Sequence, residues 1–137
     1  MRQRNLFIGS LMSLTLVATV SMGSASINSS GEQLYDTLCA ACHVKTPPAT
    51  IAPPVFAMVD HTRGAYPGKT QFVNRVVNWV ANPQADQALM GGAIDKFGLM
   101  PKLGYSEDQV RLIAEYLYDS DFKKPKGQGG NVAAEPD

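Results

Sequence analysis

The stretch Cys39-Ala40-Ala41-Cys42-His43 decides how this chain is interpreted, because it holds both cysteines of the 137-residue sequence. Two cysteines at positions i and i+3 can close a redox disulfide, supply half of a zinc site, or form thioethers to the vinyl groups of a haem. The histidine directly after Cys42 separates these uses, since C-x-x-C-H is the attachment pattern of c-type haem. The motif therefore predicts one haem c held by Cys39 and Cys42, with His43 placed to ligate its iron.

The other two uses of the cysteines fit the surrounding sequence less well. A thioredoxin-like site has its C-x-x-C at the start of a helix that follows a strand, whereas here the motif closes a predicted helix. A structural zinc site needs four ligands, and the remaining histidine, His61, leaves the set one short. A thiol-disulfide oxidoreductase is the alternative that free thiols and an absent haem would favour.

The N-terminal residues have the pattern of a secretory signal peptide. Arg2 and Arg4 precede an apolar run over residues 6–20, and small residues follow at 23–26. The run is shorter than the roughly 20 residues that span a membrane, so we expect cleavage near residue 26. The sequence thus predicts an exported protein outside the reducing cytosol, which in a Gram-negative bacterium means the periplasm.

Length and charge indicate one small domain. Twelve basic and twelve acidic residues balance, which argues against a nucleic-acid partner, because phosphate contacts need a basic excess. After the signal peptide, residues 1–26, we expect a folded domain over 27–122. Residues 123–137 are rich in Lys, Gly and Pro and lack apolar periodicity, which predicts a disordered C-terminal tail.

The periodicity of the domain predicts helices and no strong strand. A helix beginning at Ser29 or Ser30 should deliver Cys39 at its end, and an amphipathic helix should begin after Thr70 as N-cap and stop at Asn82-Pro83. A shorter helix over 85–90 would end at the Gly91-Gly92 pair. The five prolines of residues 44–68 predict a long loop there.

The last helix has the clearest signal in the chain. Ser106 and Gln109 form a capping-box pattern, and apolar residues recur at spacings of three and four up to Tyr118 or Asp119. The fold class is therefore all-α, with about three or four helices and long loops. A modest core of this size would be completed by a large apolar prosthetic group.

A six-coordinate haem needs a second axial ligand, and four side chains after the motif can supply one. Met58 and His61 follow the CAACH motif closely. Their loop would first have to pass from the His43 side of the haem to the opposite face. Met90 suits a core position before the glycine pair. Met100 lies in an irregular turn stiffened by Pro101, shortly before the capped last helix. The sequence favours Met100, with His61 as a bis-histidine alternative.

The second imidazole nitrogen of an iron-ligating histidine usually donates to a carbonyl or carboxylate. A proline carbonyl within Ala52-Pro53-Pro54-Val55 is a candidate acceptor for His43.

These residues together resemble the class I cytochrome c family. The similar positions include Gly31, Leu34, Tyr35, the CAACH motif, Ala52-Pro53-Pro54, Met100-Pro101 and residues 112–117. The resemblance implies the small cytochrome c fold wrapped around one covalently bound haem. It also implies that His43 and Met100 ligate the iron and that Pro53 accepts the imidazole N–H.

The same resemblance implies that the first and last helices cross. The crossing would place Gly31 and Tyr35 against Ile113 and Tyr116, and both pairs lie on apolar helix faces that need partners.

The expected function is that of an exported mono-haem cytochrome that carries one electron, its iron cycling between Fe(III) and Fe(II), with no enzyme activity of its own. We expect a monomer that docks transiently on redox partner proteins through a small interface. A membrane would be involved through membrane-bound redox complexes alone. Lys96 and Lys102, which flank Met100, can steer an acidic partner. A haem-based sensor with a weak sixth ligand is the alternative from another class.

Overall fold

The computed structural model describes residues 23–124, with side chains from residue 29 onwards. This part of the chain forms five α-helices and one 3-10 turn and contains no strand, which confirms the predicted all-α class. Most of the predicted signal peptide and most of the predicted tail lie outside the described residues. None of the described helices is long and apolar enough to cross a membrane.

The helices are joined by connections of unequal length, the longest of which covers residues 39–54. They are α1 (Gly23–Leu38), α2 (Val55–Ala65), α3 (Lys69–Ala81), α4 (Gly91–Phe97) and α5 (Glu107–Asp119), with the 3-10 turn at Ala85–Gln87. Three of the predicted boundaries are confirmed: α1 ends at Leu38, α3 ends before Asn82, and α5 begins after Ser106. The Ser106 hydroxyl accepts from the Gln109 amide, and the Gln109 side chain accepts from the Ser106 amide, as the predicted capping box requires.

The prediction of a continuous loop over residues 44–68 is wrong, because α2 lies inside it. The prolines of this stretch fall before Val55 and after Ala65, so none interrupts the interior of the helix. Pro54 occupies the N-cap position with extended backbone, where its missing N–H leaves no helical hydrogen bond unmade. The distribution of the prolines, rather than their number, decides the structure of this segment.

The glycine pair Gly91-Gly92 also behaves differently from the prediction. The helix expected over 85–90 is reduced to the 3-10 turn, and the glycines begin α4 instead of ending a helix. The glycine that ends α4 is Gly98, whose φ of 80° is readily adopted only by a residue without a Cβ. In addition, α1 begins at Gly23, before the predicted start at Ser29 or Ser30. The described chain therefore has five helices where about three or four were expected.

The core forms where α5 packs between α1 and α3. One cluster joins α1, α2, α3 and α5, and a second joins α3 to α5. Tyr35, Val55 and Phe72 are the largest fully buried side chains, and Ala114 has no exposed surface at the centre of α5. The crossing of α1 and α5 predicted from the sequence is confirmed, since the Tyr35 and Tyr116 ring centroids lie 6.0 Å apart.

Helix α4 stands apart from this core. It packs against none of the other described helices to an extent comparable with the contacts of α5. Its side chains Ala93, Ile94 and Phe97 instead line a cavity. The apolar side of α4 therefore faces a cavity rather than another described helix.

Candidate functional site

The CAACH segment forms a compact turn directly after α1. The amides of Cys42 and His43 both donate to the carbonyl of Cys39, over 3.1 and 2.9 Å. The hydroxyl of the buried Tyr35, one turn before the end of α1, donates to the carbonyl of His43. The turn is therefore fixed from its own backbone and from the core side of α1.

Both cysteines are free thiols in the structure, Cys39 half-buried and Cys42 exposed. Burial, reinforced by the neighbouring Cys42, raises the pKa of the Cys39 thiol to about 11. A thiol with such a pKa stays protonated at neutral pH, unlike the reactive cysteine of a thiol-disulfide oxidoreductase.

His43 is oriented by a single strong contact. Its Nδ1 lies 2.8 Å from the carbonyl oxygen of Pro53, so an N–H at Nδ1 donates to that carbonyl. The resemblance implies this proline as the acceptor, and the structure contains the contact. Burial lowers the pKa of His43, and the hydrogen bond to Pro53 opposes this only in part. The imidazole is therefore neutral at pH 7, with Nε2 left as the nitrogen that can ligate a metal.

The chain after His43 is tied back to α1 and forward to α2. Lys45 Nζ lies 2.7 Å from Asp36 Oδ1 and 3.1 Å from Glu32 Oε1, and it sits over the ring of Tyr35. The amide of Val55 donates to the carbonyl of Val44 over 3.1 Å. These contacts fix the backbone on both sides of the histidine.

The turn borders a mainly apolar cavity of about 370 Å³, a size common for small-molecule and cofactor sites. All the predicted site residues lie around it, namely Cys39, Cys42, His43, Pro53 and Met100. The three alternative ligands, Met58, His61 and Met90, border the same cavity. Met58 and His61 reach the cavity from helix α2.

The large exposed hydrophobic side chains of the described chain are Ile51, Leu89, Leu99 and Leu103, and all four border this cavity. Exposed large apolar groups gathered in one place indicate a binding site. A planar apolar group seated in the cavity would cover such side chains and would also supply α4 with a packing partner. The cavity, two thiols, an oriented neutral histidine and a thioether sulfur fit a covalently attached haem.

Arg75 on α3, which lies beside Trp79, was not predicted to be part of the site. The guanidinium of Arg75 lies 5.2 Å from the Trp79 ring centroid, and both side chains border the cavity. Arg75 Nη2 also donates to the carbonyl of Gln87. The i, i+4 spacing of Arg75 and Trp79 on a predicted amphipathic helix was the signal that could have identified it. Arg75 supplies the cavity wall with a positive charge able to pair with an acidic substituent of a ligand.

Within residues 23–124, no three His, Cys, Asp or Glu side chains form a group that could hold a metal ion. No protein-family model matches the chain, and no solved structure matches it. An uncharacterised protein of Aquifex aeolicus (strain VF5) is 27% identical over 128 residues, an alignment that covers 79% of this chain and 84% of that protein. The chain is therefore similar to that protein over most of its length.

Proposed function

We propose that this protein is an exported mono-haem c-type cytochrome of the class I kind, which carries one electron between redox partners. The observation that supports it best is the convergence of Cys39, Cys42, His43 and Met100 on one apolar cavity. Haem c, when bound, supplies the Fe(III)/Fe(II) couple. The chain supplies attachment, ligands and burial, and we assign it no substrate and no enzymatic reaction.

Each site residue has a defined task in this proposal. Cys39 and Cys42 hold the porphyrin through thioethers, and His43 and Met100 ligate the iron. The Pro53 carbonyl, 2.8 Å from His43 Nδ1, fixes the imidazole tautomer and the ring orientation and raises the basicity of the ligating nitrogen. A histidine and methionine ligand pair raises the potential, as does burial in an apolar cavity.

The partners are proposed on the same basis. A one-electron carrier has to dock and leave quickly, which favours a small interface and a monomeric chain. The exposed Lys96 and Lys102 lie on either side of Met100 in the sequence, where they can steer an acidic redox partner.

The test is to express the full chain with its export signal in a host with intact cytochrome maturation. Haem that survives denaturation and organic extraction is covalently attached, and a single one-electron wave at positive potential fits His43 and Met100 as ligands. Replacing Cys39 and Cys42 together by serine is the matched control and should leave no covalent haem. An exported wild-type protein that carries no haem under these conditions would refute the proposal.

A further inference from the structure

The loop that carries Met100 is connected to the CAACH turn by one tyrosine. Tyr105 donates its hydroxyl to the carbonyl oxygen of Leu38 over 3.1 Å, across 67 residues of sequence. Leu38 is the last residue of α1 and directly precedes Cys39. The hydrogen bond thus joins the segment of the proposed distal ligand to the segment of haem attachment.

The acceptor in this contact, the Leu38 carbonyl, receives no hydrogen bond from a following backbone amide. In a continued α-helix the amide of Cys42 would donate to Leu38, but it donates to Cys39 instead, as does the amide of His43. Carbonyls at a helix end need partners from outside the helix. The Tyr105 hydroxyl provides one at the place where the chain turns into the CAACH motif.

The Tyr105 ring adds apolar contacts to the hydrogen bond of its hydroxyl. It is half-buried and packs on the cluster of Val73, Val77, Val110 and Ala114. The next residue, Ser106, caps α5. Tyr105 therefore stands on the rigid part of the molecule, with its hydroxyl reaching towards α1.

The rest of the Met100 loop is lightly held. In the described part of the chain, residues 99–105 make no backbone-to-backbone hydrogen bond. Gly98 and Gly104 bracket the loop with φ values of 80° and 73°, and Leu99 and Leu103 are exposed. A loop with so few local contacts depends on its fixed end for its position.

We propose that Tyr105 is the positioning residue that holds Met100 at the iron, and that its hydroxyl sets how readily an external ligand displaces the methionine. This inference rests on the proposed function. Tyr105 itself ligates nothing: it borders the cavity and acts through the four residues that separate it from Met100. Losing the hydrogen bond should loosen the loop while leaving haem attachment and His43 untouched.

The test measures the affinity of imidazole for the ferric, haem-loaded full chain, by the change in its visible spectrum. Tyr105→Phe keeps the ring and removes the hydroxyl. Since a hydrogen bond of this kind changes an equilibrium about three- to tenfold, imidazole should bind about three- to tenfold more tightly to this variant. Tyr118→Phe is the matched control, because it removes a hydroxyl that donates to the Pro67 carbonyl over 2.8 Å, outside the cavity. Its imidazole affinity should equal that of the wild type.

An unchanged imidazole affinity in Tyr105→Phe would overturn the inference, and so would an equal shift in both tyrosine variants, which would indicate general loosening. Met100→Ala gives the affinity without competition from a methionine. If this variant binds imidazole no better than the wild type, Met100 is not the displaced ligand and the inference fails, although covalent haem would still support the proposed function. A wild-type protein that carries no haem would instead refute the proposed function itself.

Discussion

Gly31 in α1 passes so close to α5 that a Cβ atom at position 31 would lie 2.4 Å from the carbonyl oxygen of Leu112 and 2.7 Å from the Cβ of Tyr116. Neither neighbour can move aside easily, because one is helix backbone and the other belongs to a buried aromatic residue. Gly31→Ala should therefore push the two helices apart and lower the free energy of unfolding by about 1–3 kcal/mol. Urea denaturation of the haem-loaded protein measures this.

Gly64→Ala is the matched control for that change. Gly64 lies in α2, and a Cβ at this position meets nothing within 4 Å. Since alanine favours the helix more than glycine, this variant should be unchanged or up to about 1 kcal/mol more stable. Equal destabilisation by both substitutions would contradict the steric explanation.

The guanidinium of Arg63 should contribute to stability by closing the C-terminal end of α5. Its Nη2 donates to the carbonyls of Leu117, Tyr118 and Ser120, at 3.5, 2.9 and 3.3 Å. Arg63→Met keeps much of the side-chain length and removes the donors, so it should cost about 1–2 kcal/mol in urea denaturation. Arg111→Met removes an exposed ion pair to Glu107 and should cost less than about 1 kcal/mol. If Arg111→Met lowered the free energy of unfolding more than Arg63→Met, the contacts of Arg63 with the carbonyls would be unimportant.

Stability should fall at alkaline pH because of Tyr35. Burial, reinforced by the nearby Cys39, raises the pKa of this tyrosine above its ordinary value of 10.0. The unfolded chain then loses the phenol proton first, so the folded state binds more protons and stability declines as the pH rises above 10. Denaturation at several pH values from 8 to 11 should show this decline, with a smaller slope in Tyr35→Phe.

Part of the alkaline slope should remain in Tyr35→Phe because of Lys45. Burial lowers the pKa of Lys45, but its hydrogen bonds to Asp36 and Glu32 outweigh burial and raise the pKa overall. A raised lysine pKa gives stability that is complete below the ordinary value and is lost as the pH rises through the raised one. An identical slope in the wild type and Tyr35→Phe would show that Tyr35 has no part in it.

Met100→Ala should lower the reduction potential of the loaded protein. Axial ligands set haem potentials over a range of about 0.8 V, so loss of the thioether should shift the midpoint by about 0.1 V or more. Met90→Ala and His61→Ala are the matched variants, since both residues border the same cavity. They should leave the midpoint close to that of the wild type. A shift confined to Met90→Ala or His61→Ala would move the ligand assignment to that residue.

Local patterns predicted the parts of the molecule that depend on neighbours in sequence. The capping box at Ser106 and Gln109 gave the start of α5, and the acceptor of His43 Nδ1 lies ten residues away, within one loop. Helix α2 was missed because the five prolines of residues 44–68 suggested a loop, although none of them lies between residues 55 and 65. Gly91-Gly92 was misread because glycine is common at both ends of helices.

The remaining contacts of the site depend on how distant segments meet. Tyr105 and Leu38 come together only through the packing of α5 on α1 and α3, and neither residue carries a local signal for the other. All four possible distal ligands border the cavity, because the fold as a whole decides which side chains face it. These contacts depend on tertiary packing, so local sequence patterns could not predict them.

Helix α4 borders the cavity and packs little against the other described helices, so its folding depends on what occupies the cavity. With nothing bound in the cavity, residues 91–97 gain little stabilisation from forming a helix. We therefore expect proteolysis to begin in this segment. The order of this short helix should therefore depend on whether the cavity is filled.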